Sequence, residues 1–437
     1  MAKLKEIGVA VLGFGTVGAG VVEALQKNGG LLAERLGVRL VLRGVADLDI
    51  TTDRGVQIEP GLLTTDGAAL IDRPDVDVVV ELIGGTGIAR QFILQALRKG
   101  KPVVTANKKL LAEHGEEIHR VAEENKTEIL FEASVGGGIP IIKALREGLC
   151  ANRIESLYGI LNGTCNYILT RMEDEKLPFD EVLKAAQAAG YAEAEPSLDI
   201  DGLDTAHKAA VLASLAYGCN VPLEKVRVSG IRGISAMDIA YAADMGYRIK
   251  LLAIIQGGAQ GVEVSVQPTL VEHSHQLAAV SGVFNAVLVK GDLVGNTLYY
   301  GRGAGRAATA SAVVADLADA ALNLRAGGRR RDLSAVHAQS PIAFRDPDEI
   351  VARHYLRFSM KDEPGMLARV ATALGDHQIG IDSVMQKEAP KNAAFVPVLI
   401  VTGPAKQRAM ADALAQIAAL AGLTDQAPVI YRIEDFE

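Results

Sequence analysis

The N-terminal third of the chain alternates short apolar runs with amphipathic stretches. Helical periodicity, as at Ile88–Arg98, separates the apolar runs from one another. Four of these runs have the length of buried strands: Ile7–Leu12, Val38–Val45, Val76–Leu82 and Lys101–Thr105. Strands that alternate with helices indicate a parallel sheet covered by helices on both faces. The pattern therefore predicts an α/β domain with a doubly wound parallel sheet over residues 1–145.

A different pattern begins near Ile154 and indicates an α+β domain over residues 146–300. It combines one long helix at Asp204–Tyr217 with strand-like runs later in the segment. These runs are Arg248–Gln256, Gly261–Thr269 and Asn285–Lys290.

The last part of the chain contains a third pattern. A glycine-rich segment opens a helix of small residues, and we expect this stretch, about 300–330, to rejoin the first domain. The polar, glycine- and proline-containing stretch 331–352 is predicted to be a linker. Residues 353–437 follow the order β-α-β-β-α-β, which is typical of a small ferredoxin-like module.

Composition excludes several classes of function. The chain has 45 lysines and arginines against 53 aspartates and glutamates, a net charge of -8, and no basic stripe, which argues against nucleic acid or an anionic membrane as the partner. With 49% hydrophobic residues it is too apolar for disorder. No apolar run reaches the roughly 18 residues of a membrane span. Its 3 cysteines lie far apart, so we expect a soluble, reduced, cytoplasmic protein.

A glycine loop follows the first predicted strand and precedes a helix. The first glycine of such a loop permits a tight turn, the second lets a pyrophosphate approach the backbone, and the third lets helix pack on strand. Free amides at the helix start then meet the phosphate charge. The alternative is an ordinary glycine-rich turn. We predict a Rossmann-type dinucleotide site that includes Gly13, Phe14, Gly15, Thr16, Val17 and Gly18.

An acidic residue, Asp47, closes the second predicted strand. A carboxylate there accepts hydrogen bonds from the adenine ribose and repels a 2′-phosphate, so it favours NAD over NADP. Its distance from Gly18 exceeds the usual spacing of about 20 residues. Arg43 or Arg54 would serve a phosphate instead, and Asp47 as a solvated turn residue is the remaining alternative.

Two further loops fall on the edge of the sheet where ligands bind in open α/β folds. The loop with Gly84 follows the third strand, and the segment Thr105–Lys109 follows the fourth. Lys108 in that segment is a candidate cation for the nicotinamide and the substrate oxygen, although an exposed lysine pair would look the same.

Ionisable side chains are most concentrated in the segment Gly190–Lys208, where five carboxylates precede one lysine. Asp204 and Lys208 are four residues apart, on the same face of a helix. A negative helix start with an ordinary salt bridge is the simpler interpretation. Because apolar residues follow Lys208, its face is expected to be partly buried, and a desolvated lysine is a candidate proton donor or acceptor. The acidic cluster suits a substrate with an ammonium group.

The chain resembles the homoserine dehydrogenase family, in the bacterial form with a C-terminal ACT domain. The most specific matches are Asn-Gly-Thr-x-Asn-Tyr-Ile-Leu at residues 162–169 and Tyr-x-Glu-x-Glu-Pro…Asp-x-x-Gly-x-Asp-x-x-x-Lys at residues 191–208. The resemblance covers essentially the whole chain; its other segments are 13–18, 105–109, 131–140, 301–305 and about the last 80 residues. It implies a Rossmann domain, a substrate and dimerisation domain, and an ACT regulatory domain.

The resemblance also implies roles for individual residues. Lys208 is then the acid/base lysine, Lys108 lies near the same substrate oxygen, and Asp204 orients Lys208. The implied substrate pocket consists of Glu193, Asp199, Gly163, Thr164 and Tyr191. The implied cofactor contacts add Asp47, Gly84, Thr105, Lys108, Gly190 and Gly303 to the glycine loop. His207, next to Lys208, is interpreted as a bystander.

The resemblance further implies a monovalent cation, sodium, bound largely through backbone carbonyls. Its matching residues are Glu132, Val135, Gly137 and Ile139, and a glycine-rich hinge is the alternative. The turn Ser359–Leu367 resembles the effector turn of ACT domains, with threonine as the implied effector and a purely structural module as the alternative. Asp362 and Pro364 are predicted to cap and start the following helix. A homodimer or homotetramer is implied.

The resemblance implies NAD(P)-dependent interconversion of L-aspartate 4-semialdehyde and L-homoserine, in threonine, methionine and isoleucine biosynthesis. One rival is another ACT-bearing Rossmann dehydrogenase with a different amino or keto acid substrate. The other is a non-catalytic amino-acid sensor.

Overall fold

The computed structural model describes residues 4–258, 260–328, 343–386 and 393–436. Its first domain alternates strands with helices, as the apolar periodicity requires. The elements are β1 Lys5–Leu12, α1 Thr16–Leu36, β2 Val38–Ala46, β3 Leu63–Thr64, α2 Gly67–Asp72, β4 Val78–Glu81, α3 Ile88–Arg98, β5 Val103–Thr105, α4 Lys108–Glu124 and β6 Ile129–Leu130.

The first domain is a parallel sheet with the strand order β3-β2-β1-β4-β5-β6. This order reverses between β1 and β4, and ligands bind at such a switch point, outside the carboxyl ends of the strands. Valines and alanines fill the strands because both sheet faces are covered. The predicted Rossmann-type doubly wound sheet is therefore confirmed.

The helix α11 (Arg306–Ala326) returns to this domain and packs along α1. It is the one helix among the described residues that is long and apolar enough, by length and composition, to cross a membrane. Its buried residues include Val313 and Leu317, which belong to the nucleotide-domain core, and Asp316, which accepts the N–H of Glu132 at 2.7 Å. The apolar composition of α11 is thus that of a core helix.

The second domain is a mixed α+β structure. Its elements are α5 Ile141–Lys143, β7 Ile154–Ile160, α6 Gly163–Glu175, α7 Phe179–Ala188, α8 Ser197–Ile200, α9 Leu203–Tyr217, β8 Arg227–Val228, α10 Ala236–Asp244, β9 Tyr247–Gly258, β10 Gly261–Glu272, β11 Phe284–Gly291 and β12 Gly295–Arg302. The long antiparallel pair β9–β10 forms its centre. A π-helical turn at Ala144–Gly148 follows α5.

The C-terminal module has the predicted β-α-β-β-α-β order with one added short strand. Its elements are β13 Val351–Lys361, α12 Met366–Asp376, β14 Ile381–Gln386, β15 Phe395–Thr402, β16 Ala405–Lys406, α13 Gln407–Ala418 and β17 Val429–Glu434. Strand β17 pairs in parallel with β10, over Thr269–Val271 and Arg432–Glu434. One sheet therefore runs through both domains in the order β12-β11-β7-β9-β10-β17-β13-β15-β14.

Some expectations differ from the structure. The helix after the effector turn begins at Met366 with Gly365 (φ 89°) as its N-cap, so Asp362 and Pro364 do not cap and start it. Because Gly365 adopts the left-handed region, the helix starts two residues after Pro364, the residue predicted to start it. Most of the predicted linker 331–352, and the loop at 387–392, lie outside the described residues.

Lys250 is a buried lysine on β9 that no sequence signal marks. Its Nζ donates to the carbonyl of Val280 at 2.6 Å and to Oδ1 of Asn166 at 3.3 Å. Burial lowers its pKa from 10.5 to about 8. The folded state therefore holds this proton less tightly than the unfolded state. The buried charge destabilises the fold by its full amount below about pH 8, and this destabilisation decreases as the pH rises to about 10.5.

We expect Lys250→Met to raise the melting temperature at pH 7. The pKa difference corresponds to about 3 kcal/mol, from which lost hydrogen bonds subtract about 1–2 kcal/mol. The gain should shrink at pH 10, where wild-type Lys250 is largely neutral. Calorimetry at both pH values measures this, with the exposed Lys184→Met as control. An equal loss of stability at both values would contradict the interpretation.

Candidate functional site

The glycine loop joins β1 to α1 in the manner that a phosphate site needs. Gly13 has φ 97°, and a Cβ there would lie 2.6 Å from the backbone of Leu82. A Cβ on Gly18 would lie 2.0 Å from the carbonyl oxygen of Gly13. Nothing lies within 4 Å of a Cβ built on Gly15, which is the N-cap of α1 and provides no side-chain cap. The first amides of α1, beginning with Thr16 and Val17, are thus available to an anion.

Asp47 is tied to this loop. One carboxylate oxygen accepts the N–H of Phe14 at 2.5 Å, and the other accepts the N–H of Asp49 at 2.9 Å. Arg54, the alternative phosphate contact, is paired with Asp49 at 2.8 Å. Asp47 therefore both shapes the loop and places a negative charge at the end of β2.

A buried carboxylate, Glu81, connects the two remaining loops of this edge. It accepts the N–H groups of Ile83 and Gly84 at 2.8 and 3.0 Å and the hydroxyl of Thr105 at 2.6 Å. Asn107 donates to the carbonyl of Gly85 at 2.8 Å and caps α4. Thr105 thus fixes the loops through Glu81 rather than presenting a free hydroxyl. Glu81 is not among the residues predicted from the sequence, although an acidic residue that ends an all-valine strand is a detectable signal.

Helices α4 and α9 pack together and bring three charges into contact. Asp204 accepts from Nζ of Lys208 at 2.7 Å and lies 3.2 Å from Nζ of Lys108. Lys208 also donates to the carbonyl of Leu161 at 2.7 Å. The Lys208 side chain is 12% exposed, whereas that of Lys108 is 39% exposed. The structure thus brings together all three residues predicted to be catalytic.

The two aspartates of this cluster differ in acidity. Burial would raise the pKa of Asp204, but the charges of Lys208 and Lys108 and hydrogen bonds from Lys208 and Asn162 hold that pKa well below its usual range. Burial raises the pKa of Asp199, partly offset by a hydrogen bond from Asn162. Asp204 is therefore a fixed negative charge between two lysines.

Asn162 organises the rest of the pocket. Its amide donates to Asp199 at 2.7 Å and to Asp204 at 2.9 Å, while its oxygen caps α6 through the N–H of Cys165. At the start of α6, the hydroxyl of Thr164 donates to the carbonyl of Tyr191 at 2.7 Å.

Close packing holds the glycine that begins α6. A Cβ on Gly163 would lie 2.8 Å from the carbonyl oxygen of Val283, so the position requires glycine. Gly190, with φ 74°, lies two residues after the end of α7 and just before Tyr191.

A cavity of about 370 Å³ lies between the sheet edge and the acidic segment. Six of the predicted site residues line it: Val17, Gly84, Lys108, Glu193, Asp199 and Asp204. Its volume is within the range of small-molecule sites. Lys208 does not itself line the cavity; it donates to Asp204, which does.

His207 and Cys165 are neighbours of the cluster in the sequence and in the fold. His207, interpreted above as a bystander, lines the cavity and lies 3.9 Å from Glu113. Asp204 and His207 are three residues apart on α9 and therefore share a helix face, so both line the cavity. Cys165 is fully buried and burial raises its thiol pKa, which agrees with a packing role.

The hinge at Glu132–Ile139 joins the first two domains. Both carboxylate oxygens of Glu132 accept backbone N–H groups, from Ile142 at 2.9 Å and Lys143 at 2.7 Å. Among the described residues, no donor reaches the carbonyls of Val135 and Gly137. A Cβ on Gly137 would lie 2.5 Å from the backbone of Gly303, so the hinge touches the segment before α11.

Comparison with known proteins identifies the family. Family models match residues 13–132 as the NAD-binding domain of homoserine dehydrogenase, 140–318 as homoserine dehydrogenase and 354–419 as an ACT domain. The chain is 44% identical to the homoserine dehydrogenase of Neisseria gonorrhoeae over 95% of its length and 96% of that protein. The chain belongs to the homoserine dehydrogenase family.

Solved structures agree with this membership. The crystal structure of a homoserine dehydrogenase from Thiobacillus denitrificans matches with a TM-score of 0.93 at 42% identity, over 99% of each chain. A hyperthermophilic archaeal homoserine dehydrogenase in complex with NADPH matches with a TM-score of 0.63 at 28% identity, over 72% of this chain and 98% of that one. The chain is thus an oxidoreductase with a nicotinamide cofactor site, and neither the other dehydrogenase nor the non-catalytic sensor is supported.

Proposed function

We propose that the chain reduces L-aspartate 4-semialdehyde to L-homoserine, and catalyses the reverse oxidation, in threonine, methionine and isoleucine biosynthesis in the cytoplasm. The Lys208–Asp204–Lys108 cluster carries this proposal. It lies at the wall of a cavity that is also lined by Val17, at the start of α1, and by Gly84. The nicotinamide supplies or accepts the hydride when bound. The protein groups then manage the proton and the charge.

The proposed proton route uses Lys208. As the carbonyl carbon receives hydride, its oxygen gains negative charge and takes a proton from the Lys208 ammonium. In the oxidation, Lys208 takes the hydroxyl proton instead. Lys108 places a second positive charge near the same oxygen, and Asp204 keeps both lysines oriented through its two carboxylate oxygens.

The proposed substrate pocket recognises the amino-acid end. Glu193 and Asp199 line the cavity and supply negative charge for the ammonium group. Gly163, Thr164 and Tyr191 complete the pocket at the start of α6, where the link between Thr164 and Tyr191 holds α6 to the acidic segment.

We propose NAD as the preferred cofactor, held by Gly13–Gly18 with contributions from Gly84, Thr105, Gly190 and Gly303. Support comes from Asp47, whose carboxylate lies at the loop and would repel a 2′-phosphate. The archaeal relative was solved in complex with NADPH, so NADP is the alternative cofactor.

Asp47→Asn should shift this preference. The amide still accepts the N–H of Phe14 but carries no charge, so we expect the NADP-to-NAD ratio of kcat/KM to rise about tenfold. Steady-state kinetics with both cofactors measures the ratio, and Asp49→Asn is the matched control. An unchanged ratio would remove Asp47 from cofactor selection.

We also propose a sodium ion at the hinge. The open carbonyls of Val135 and Gly137 suit a hard monovalent cation, with Ile139 and Glu132 beside them. Because the Glu132 carboxylate is already occupied by two amides, the backbone oxygens would provide most of the binding. Its role would be to fix the hinge between the domains.

Regulation and assembly complete the proposal. Threonine would bind at the turn around Lys361–Gly365 of the ACT domain. A homodimer or homotetramer would cover the exposed apolar tip of the β11–β12 hairpin, where Leu293 is 74% exposed and Val294 is 48% exposed. Analytical ultracentrifugation of the full chain tests the assembly, and a monomer would contradict it.

One assay tests the reaction. Purified protein with L-homoserine and NAD or NADP should increase the absorbance of the reduced nicotinamide. The same assay with added L-threonine tests whether threonine inhibits the reaction. Replacing sodium by choline tests whether the reaction rate depends on sodium. If neither cofactor is reduced at alkaline pH, the proposed reaction is overturned.

A further inference from the structure

The fully buried carboxylate of Glu81 lies behind the wall of the catalytic cavity. Glu81 ends β4, opposite Thr105 of β5, and is 0% exposed. It does not line the cavity, whereas Ile83 and Gly84, whose N–H groups it accepts, do. A residue in this place does not contact a substrate, but it determines the position of the cavity wall.

The hydrogen bonds of Glu81 all run towards its carboxylate. One oxygen accepts the N–H groups of Ile83 and Gly84 at 2.8 and 3.0 Å, and the other accepts the hydroxyl of Thr105 at 2.6 Å. That hydroxyl in turn accepts the N–H of Asn107 at 3.0 Å. An amide in place of the carboxylate has a single acceptor oxygen, so either the two backbone N–H groups or the hydroxyl would face a donating NH2 group. The network therefore requires a carboxylate.

One end of this network fixes the loop after β4. Gly84 and Gly85 adopt φ angles of 82° and 70°, in the left-handed region. The carbonyl of Gly85 accepts the side-chain amide of Asn107 at 2.8 Å. The backbone of Leu82, which precedes the loop, lies 2.6 Å from a Cβ built on Gly13. Because the loop is held between the phosphate turn and the start of α4, loss of the carboxylate would move the cofactor side of the cavity.

The other end of the network fixes Lys108. Asn107, bound to the Thr105 hydroxyl, is the N-cap of α4, and its side-chain oxygen accepts the N–H of Leu110 at 3.1 Å. Lys108 is the first residue of α4, and its Nζ lies 3.2 Å from Oδ1 of Asp204. A displaced cap would turn the first residue of the helix and move this ammonium. Misplacement of a reacting group by about 1 Å lowers rates about a hundredfold.

We propose that Glu81 is a positioning residue that holds the cofactor loop Ile83–Gly85 and the ammonium of Lys108 in one arrangement for hydride transfer. It acts on the loop through two backbone N–H groups, and on Lys108 through Thr105 and Asn107. It exchanges no proton and contacts neither substrate nor cofactor. The inference rests on the proposed dehydrogenase function, because Lys108 stabilises the reacting oxygen only in that reaction.

Glu81→Gln tests the link to the cofactor loop without any turnover. Titration of the full chain with NADH, followed by the nicotinamide fluorescence, should give a Kd raised about fivefold or more, because the loop loses an acceptor. Asp238→Asn is the matched control, since Asp238 is also 0% exposed, accepts from Tyr355 and Arg357, and does not line the cavity. It should lower the melting temperature and leave the Kd unchanged. An unchanged Kd in Glu81→Gln would overturn the link to the loop.

Kinetics at saturating cofactor test the link to Lys108. We expect Glu81→Gln to lower kcat for homoserine oxidation about 10–100-fold. The isotope effect with homoserine deuterated at C4 should rise, because hydride transfer becomes slower relative to the other steps. The same substitution in the Lys108→Ala background should lower kcat by less than about threefold, since the group that Glu81 positions is gone. Equal losses in both backgrounds with an unchanged isotope effect indicate general damage to the fold and would overturn the proposal.

A second variant keeps the test valid if Glu81→Gln does not fold. Thr105→Val has a similar shape and removes the hydroxyl link, so it should reproduce the loss of kcat and its dependence on Lys108. A loss that is the same in the wild-type and Lys108→Ala backgrounds would again overturn the proposal. Failure of the reaction itself is a separate outcome. A wild-type chain that does not oxidise homoserine overturns the proposed function, whereas the NADH titration still decides whether Glu81 holds the loop.

Discussion

Lys208→Ala is expected to lower kcat for homoserine oxidation at least about a thousandfold, since it removes both the proton acceptor and a charge beside the reacting oxygen. Cofactor affinity should change by less than about threefold, because no cofactor-loop contact involves this side chain. Stopped-flow and steady-state kinetics measure the first effect, and fluorescence titration with reduced cofactor measures the second.

Two further variants serve as controls for Lys208→Ala. Lys225→Ala removes an exposed lysine and should be fully active. Lys208→Arg keeps the positive charge and the pair with Asp204, but a guanidinium does not release its proton near neutral pH. It should therefore remain inactive. If Lys208→Arg kept more than about a tenth of the activity, the lysine would act by charge alone.

Asp204→Asn is expected to lower kcat about a hundredfold and the free energy of unfolding by about 2–3 kcal/mol. The substitution leaves Lys208 and Lys108 facing each other without the carboxylate that both contact. Urea denaturation measures the stability, and Asp201→Asn, which breaks an exposed ion pair with Arg232, is the matched control with little change.

The stability difference between wild type and Asp204→Asn should depend on pH. The folded-state pKa of Asp204 is lowered, so its contribution is present above the unfolded value near 4 and is lost as the pH falls towards the folded value. Denaturation at pH 7 should therefore show the full difference, and denaturation below about pH 4 should show less. A difference that grows in acid would contradict a stabilising role of the carboxylate.

Much of this architecture can be predicted from the sequence, because buried parallel strands and glycine turns have local sequence signatures. Ile88–Arg98 forms a helix with the predicted bounds, and the glycine loop lies between β1 and α1. The Asp204–Lys208 pair follows from helix geometry alone. Contacts between distant segments do not have such signatures. The bridges from Asn162 to two aspartates, and from Glu81 to Thr105, depend on how separate elements pack.

The position of His207 does follow from helix geometry. His207 adjoins Lys208, but it lies three residues from Asp204, so His207 and Asp204 share a helix face and both line the cavity. By contrast, the β-α-β-β-α-β order of the last domain predicts its fold but not its neighbour. The pairing of β17 with β10 is a matter of tertiary docking.

That pairing has a consequence for shortening the chain. If translation stopped before β13, the backbone of Thr269–Val271 would lose its strand partner, and the buried carboxylate of Glu263 would lose Arg432 and keep only Arg345, at 3.7 Å. An open strand edge of this kind recruits other chains, and a buried carboxylate that loses its nearest cation destabilises the fold. Truncation is therefore expected to favour aggregation, so point substitutions in the ACT domain are the better test of the proposed threonine regulation.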